Sequence, residues 1–237
     1  GDSGLAPVTY AQDKRMRRAL FEAAGLPIPR GVTFSVGRGL KDAKAFAAKI
    51  GYPVVVKPEI GDNAIETFAD LADEFMFDDA IEKLRVPPSE RETFTRAAYG
   101  LTELREPGEE DGRVVVPPGY RFLVEDHVHG VYLRTVVFYG KVYSAVLGGG
   151  SPSIGQIEVG QEVIDEVHPS ILRMAEKAVA ALPGIPVAAV DFVLEDHQKE
   201  TDDQKLWIVE FSERPGLAVQ AAISSDLSAQ LGDKILE

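Results

Sequence analysis

Cysteine is absent, so this chain can build no disulfide, thiolate metal site, iron–sulfur cluster or cysteine nucleophile. That fits a reducing compartment, and a cytoplasmic setting is the expectation. Basic residues are outnumbered, with 25 Lys plus Arg against 38 Asp plus Glu and a formal net charge of −13. So acidic a surface repels nucleic acid and anionic lipid, and neither is expected as a partner. No long apolar run is unbroken. The most apolar stretch, residues 178–194, holds Pro183, Gly184, Pro186 and Asp191, which interrupt it as a membrane helix. The first twenty residues have no apolar core of the signal-peptide kind. The chain starts Gly1-Asp2-Ser3-Gly4 without a Met, as a piece of a longer protein would.

What is present is ordinary for a globular protein: 45% hydrophobic and 27% charged residues in 237. A chain of this length buries roughly 70% of its extended surface on folding. One large domain or two small lobes would satisfy it. Met16, Ala19, Leu20 and Ala23 follow the i, i+3, i+4, i+7 pattern of a helix that Asp13 can cap and Gly25 ends. Leu26-Pro27-Ile28-Pro29 must be extended, because each Pro disfavours the α region before it. A second helix shows Ala43, Phe46, Ala47 and Ile50, and a third shows Phe77, Ala80, Ile81 and Leu84. Between them Val54-Val55-Val56 reads as a buried strand that delivers Lys57-Pro58, followed by a loop at 61–67.

Residues 85–119, with Pro87-Pro88, a helical stretch at 90–104 and an acidic turn at 108–112, read as a mobile excursion, or an insertion, between the lobes. Strands follow at 122–124, 132–139 and 142–147, the last two joined by Gly140-Lys141, the Gly-X pair of a type II′ hairpin. A helix is expected at 169–182 and strands at 187–194 and 206–211. The pattern predicts an α+β protein of two lobes, 1–119 and 120–237.

Four features carry chemistry. Lys14 at a helix start and Lys57 at a strand end are either two surface lysines or a pair of point charges for nucleotide phosphates. The strand 122–124 runs into Glu125-Asp126-His127-Val128, where a strand leaving a lobe can offer backbone donors and acceptors to an adenine edge. Asp191 lies in the apolar run Val190-Asp191-Phe192-Val193, where an acid is costly unless it is paired or bound to a cation. Glu210 and Ser212 share a strand face by the period of two, so the strand pair is either a solvated hairpin face or an oxygen site for Mg²⁺. Arg214, in the turn after that strand, is a rim salt bridge or an anion ligand. His127 and His129 fall on one side of an extended segment, but no third metal ligand is near.

The ordered set is specific. It runs Asp13-Lys14, Gly25-Leu26-Pro27-Ile28-Pro29, Gly51-Tyr52-Pro53-Val54-Val55-Val56-Lys57-Pro58, Val124-Glu125 and Gly130-Val131-Tyr132-Leu133-Arg134. It continues through Gly140-Lys141-Val142, Val190-Asp191-Phe192 and Glu210-Phe211-Ser212-Glu213-Arg214-Pro215-Gly216. From about residue 11 onward this resembles the ATP-grasp family of carboxylate–amine ligases. Asp165-Glu166-Val167-His168-Pro169 and Leu182-Pro183-Gly184-Ile185 look most like its cyanophycin synthetase branch.

The resemblance implies an α+β ATP-grasp fold of two lobes with ATP bound between them. It implies Lys14 and Lys57 on the phosphates, Glu125, Asp126 and the backbone near Val128 on adenine, and Tyr132 at the ribose position. Asp191, Glu210 and Ser212 would hold Mg²⁺, and Arg134 and Arg214 would face the phosphates or the acyl phosphate. The implied partners are small-molecule or peptide carboxylates and amines, with flanking domains in a longer chain. Three positions depart from the family pattern. Ser212 stands where Asn is usual, Tyr132 where an acid is usual, and the phosphate loop reads Gly61-Asp62-Asn63-Ala64-Ile65-Glu66, acidic rather than Gly-rich. Two functions therefore stand open, a ligase core and a degenerate module that binds nucleotide without turnover; a third, an ATP-dependent carboxylase, is disfavoured because its extra catalytic machinery is not visible.

Overall fold

The structure, a computed structural model, describes residues 4–61, 66–87, 90, 103–117, 119–148, 160–215 and 229. Two compact units emerge: Asp13–Arg15 with Pro29–His127, and Gly1–Gln12 with Met16–Ile28 and Val128–Glu237. The expected loop at 61–67 and the helical stretch at 90–104 fall largely outside the described residues.

The first unit is built on a four-stranded antiparallel sheet in the order β1 (Gly31–Ser35), β6 (Arg121–Asp126), β2 (Val54–Pro58), β3 (Phe68–Leu71). One face of this sheet, with Phe34, Val54, Val56, Phe122 and Val124, meets α3 (Leu40–Ile50) and α4 (Glu74–Arg85). The helices answer with Ala43, Ala47, Phe77, Ala80, Ile81 and Leu84, spaced at three and four residues so that one stripe faces the sheet. Asp73 caps α4, its carboxylate accepting from the Met76 amide at 2.8 Å. Lys83 and Arg85 in the last turn suit the negative end of the helix dipole. The acidic turn of the excursion is a small hairpin, β4 (Gly108–Glu110) against β5 (Arg113–Val115).

The second unit carries a five-stranded antiparallel sheet. Its order is β11 (Leu206–Ser212), β10 (Val187–Leu194), β7 (Val131–Phe138), β8 (Lys141–Leu147), β9 (Gln161–Glu162). One face packs on α5 (Pro169–Ala180) through Leu133, Val137, Ala188, Val190 and Phe192 against Ile171, Ala175, Ala178 and Val179. Preceding segments join the same core. Ala11 comes from α1 (Leu5–Gln12), Phe21 from α2 (Lys14–Ala23), and Leu26 from the extended run after it. Phe21 meets Phe211 edge to face, with ring centroids 5.9 Å apart.

Three expectations need correction. The lobe boundary near Tyr120 falls one strand early. β6 is an inner strand hydrogen-bonded to both β1 and β2, so it belongs with the first unit. Residues 4–12 and 16–28, expected in the first lobe, instead bury their apolar side chains in the second unit's core. The β7–β8 turn is also shifted by one residue. Phe138 pairs with Lys141, and the two central residues Tyr139 and Gly140 have φ of 45° and 79°. Two positive φ values make a type I′ turn, which leaves Gly140 in the second central place and a strained Tyr139 in the first.

Candidate functional site

Each unit carries its own cluster of buried charge. In the first, successive side chains of β2 alternate between faces, so Val54 and Val56 enter the core while Val55 and Lys57 face the other way. Glu125 lies opposite Val55 on β6 and so shares the Lys57 face. Its carboxylate meets the Lys57 ammonium at 2.6 Å, with both side chains buried. Lys14 reaches the end of the same strand. Asp13 makes a β-bridge with Ile60, the Lys14 amide donates to the Glu59 carbonyl at 2.9 Å, and Lys14 Nζ donates to the Gly61 carbonyl at 2.9 Å. The two lysines, 43 residues apart in sequence, are thus brought to one strand and its outlet.

Asp126 does not join them. It follows Glu125 and points to the opposite face, where its carboxylate receives both arms of Arg30, at 2.8 and 3.0 Å. Val128 is half-buried in the segment after β6. His127 Nδ1 lies 3.3 Å from Asp70, and the described residues hold no cluster of three or more His, Asp or Glu arranged for a metal.

Beside Lys14 lies a carboxylate not anticipated from the sequence. Glu59 is 4% exposed, and it ion-pairs with Arg15 at 3.4 Å and Arg121 at 3.8 Å. Burial, aided by the nearby Asp13 carboxylate, pushes its pKa above the ordinary value, against the pull of Arg121, Arg15 and Lys14.

In the second unit, the side chains expected to hold a metal lie in register. Asp191 on β10 is paired with Glu210 on β11 to one side and with Arg134 on β7 to the other. Directly opposed residues of antiparallel strands project on the same face. Arg134, Asp191 and Glu210 therefore form a row across three strands, on the face away from α5. Ser212 lies two residues on from Glu210, and Tyr132 two residues before Arg134, on that same face.

A bulge makes this possible. Ile208 pairs with Phe192 and Glu210 with Asp191, so Val209 is an extra residue. Strict alternation from the core-facing Ile208 would turn Glu210 into the apolar core. The extra residue turns it out beside Asp191 instead. Gly130, which opens the β7 motif, is required by close approach, because a Cβ there would strike the Leu194 carbonyl oxygen.

The row is densely hydrogen-bonded. Arg134 Nη1 donates to Asp191 at 2.9 and 3.3 Å, and the Tyr132 hydroxyl bonds the same carboxylate. Asp191 is 2% exposed. Burial raises its pKa, Arg134 and Tyr132 oppose the rise, and the Glu210 carboxylate adds to it. The Tyr132 phenol is pushed well up, first by burial and then by the Asp191 charge.

Glu210 has a partner that sequence reasoning missed. Arg17 Nη2 donates to Glu210 Oε1 at 2.6 Å, and Arg17 Nη1 donates to the carbonyls of Phe211 at 2.8 Å and Ala11 at 3.0 Å. A signal existed in the sequence. Arg17 stands at helical spacing from Phe21 and Ala24, a charge on a stripe that packs into the core. Arg214 is placed differently from the row. Its side chain is 69% exposed and donates to Glu213 at 3.3 Å, and Glu213 also accepts from Gln12 at 2.7 Å. Gly216, which completes the expected turn, lies outside the described residues.

The donors of Asp191, Glu210 and Ser212 are all oxygens, two of the three groups being carboxylates, which is the chemistry a hard divalent cation such as Mg²⁺ takes. The residues fit such an ion.

The chain is 25% identical over 281 aligned positions to the cyanophycin synthetase of Crocosphaera subtropica, across 99% of this chain and 31% of that protein. It thus spans about a third of the length of the curated relatives it matches. No protein-family model matches it. Among solved structures, it resembles a D-alanine–D-alanine ligase from Bacillus anthracis complexed with ATP. That likeness has a TM-score of 0.62 at 16% identity, over 97% of this chain and 62% of the ligase. It also resembles the ATP-grasp ligase PsnB complexed with a minimal precursor, with a TM-score of 0.61 at 16% identity, over 99% and 62% of the two chains. The fold is the ATP-grasp fold, mixed helix and antiparallel sheet, as the sequence resemblance implied.

Proposed function

We propose that this chain is the ATP- and Mg²⁺-dependent core of a carboxylate–amine ligase that works through an acyl phosphate. The observation that carries the reading is the row Arg134–Asp191–Glu210, three charged residues in register on one sheet face. In the proposed reaction a carboxylate oxygen takes the γ-phosphoryl group of ATP and ADP leaves. The amine nitrogen then attacks the acyl carbon, phosphate departs with the electrons of the acyl C–O bond, and the nitrogen gives up a proton.

Most of the work is positioning and charge neutralisation. Lys14 and Lys57 would exchange their present oxygen partners, the Gly61 carbonyl and Glu125, for phosphate oxygens. Glu125 and the backbone near Val128 would receive adenine, with Tyr132 at the ribose. Asp191, Glu210 and Ser212 would hold Mg²⁺, which when bound supplies charge neutralisation at phosphoryl oxygens. Arg134 and Arg214 would face the acyl phosphate. The substrates would be small-molecule or peptide carboxylates and amines, and the remaining length of the relatives makes flanking domains part of the proposal.

A second reading, nucleotide binding without turnover, is favoured by one observation: both metal-binding carboxylates already hold guanidinium partners, Arg134 and Arg17. ADP release from the full-length protein, measured across a panel of amino acids and short peptides, separates the two. Release that requires both a carboxylate and an amine supports the ligase. Binding of ATP with no release for any pair supports the degenerate module. No ATP binding at millimolar concentration overturns both.

A further inference from the structure

We infer that Arg17 stands in the place of a second cation at Glu210, so that the metal site takes one divalent ion and excludes another. The inference rests on the ligase-type metal site proposed above. A carboxylate that bridges two metal ions commonly gives one oxygen to each, as in paired-metal sites. Glu210 Oε1 already accepts from two donors, Arg17 Nη2 at 2.6 Å and the Phe211 amide at 3.0 Å.

Arg17 is not a surface side chain that swings aside. It is 5% exposed, and its other terminal nitrogen is tied to the carbonyls of Phe211 and Ala11. The Phe211 carbonyl belongs to β11, the edge strand of the described sheet, so the guanidinium also covers a backbone group at that edge. Displacing it would break its charged hydrogen bonds to both carbonyls and to Glu210 at once, a heavier loss than the exchange of one ion for another. Arg17 is therefore a positioning residue that holds one oxygen of Glu210 away from metal.

The test counts Mn²⁺ bound to full-length protein in the presence of a non-hydrolysable ATP analogue, from the electron paramagnetic resonance signal of the free ion. Asp191→Asn should lower the count by one. Arg17→Gln should raise it by one, and Arg17→Lys, which keeps the charge, should leave it unchanged. A loss of two Mn²⁺ on Asp191→Asn overturns the inference and leaves the ligase reading intact. A loss of none overturns both. A folded Arg17→Gln protein with the wild-type count also overturns the inference. Should that variant fail to fold, the Asp191→Asn count decides alone.

Discussion

On the four-stranded sheet the buried cations are lysines, compact charges on flexible stems, with Glu125 against Lys57 and the Gly61 carbonyl against Lys14. On the five-stranded sheet the cations are arginines, and each fixes a carboxylate while Arg17 binds two backbone carbonyls as well. The first arrangement can change partners by rotating a few torsions. The second is a fork locked in place, whose loss strands groups on several elements. The lysine cluster is suited to meeting a mobile anion, and the arginine row to presenting carboxylates in a fixed geometry.

The largest effect should come from breaking the locked side. Arg17→Met leaves Glu210 buried without its guanidinium, and unfolding in urea should show a loss of about 3–5 kcal/mol. The double variant Arg17→Met with Glu210→Leu should recover most of it, because the uncompensated charge is then gone. If the single variant is as stable as the parent, the lock is not one. On the lysine side the signature should be in binding. Lys57→Ala should weaken ATP by about 1.5–3 kcal/mol in calorimetry, the value of a hydrogen bond to a charged group. An unchanged affinity would remove Lys57 from the phosphate site.

Ser212→Asn sharpens the functional side of the contrast. It adds an amide oxygen beside Asp191 and Glu210. An active ligase should keep or raise its rate of ADP release, whereas a degenerate binder should gain Mg·ATP affinity with no release at all.

The smallest effect is on pH dependence. The Glu59 carboxyl is held by burial above its ordinary value of 4.5. The folded chain thus keeps this proton to a higher pH than the unfolded chain does. The resulting contribution to stability is complete below the ordinary value and is lost as pH rises through the raised one. Urea midpoints measured upward from about pH 4 should therefore fall less steeply in Glu59→Gln than in the parent. Equal slopes would mean that Glu59 titrates as an exposed glutamate does.

Much of the architecture was legible in local pattern. Helical stripes such as Phe77, Ala80, Ile81 and Leu84 are written in neighbouring residues, and α4 follows them. The apolar strand around Asp191 and the shared face of Glu210 and Ser212 were also readable, because side-chain alternation is a property of the strand itself. Pairing partners were less so. The hairpin turn slipped by one residue because Tyr139 takes a positive φ beside Gly140, which residue type alone argues against. Asp126 looked like a companion of Glu125 in sequence, yet adjacency along a strand places the two on opposite faces.

Residue order by itself determined α2 to α5 and the strands β2, β6, β7, β8, β10 and β11, where an acid is buried in an apolar strand, and which motifs occur in ATP-grasp order, while α1, β1 and β3 were not read from it. Tertiary structure alone decided that Val209 is an extra residue that turns Glu210 toward Asp191, that β6 completes the first sheet, and that Arg17 closes on Glu210. The physical reason is range. Helical stripes and strand alternation are set by torsions within a few residues, whereas Arg17 and Glu210 are separated by 193 positions. Their pairing exists only once α2 and β11 enter the same apolar core, which leaves that guanidinium and that carboxylate with little access to water and one another as partners.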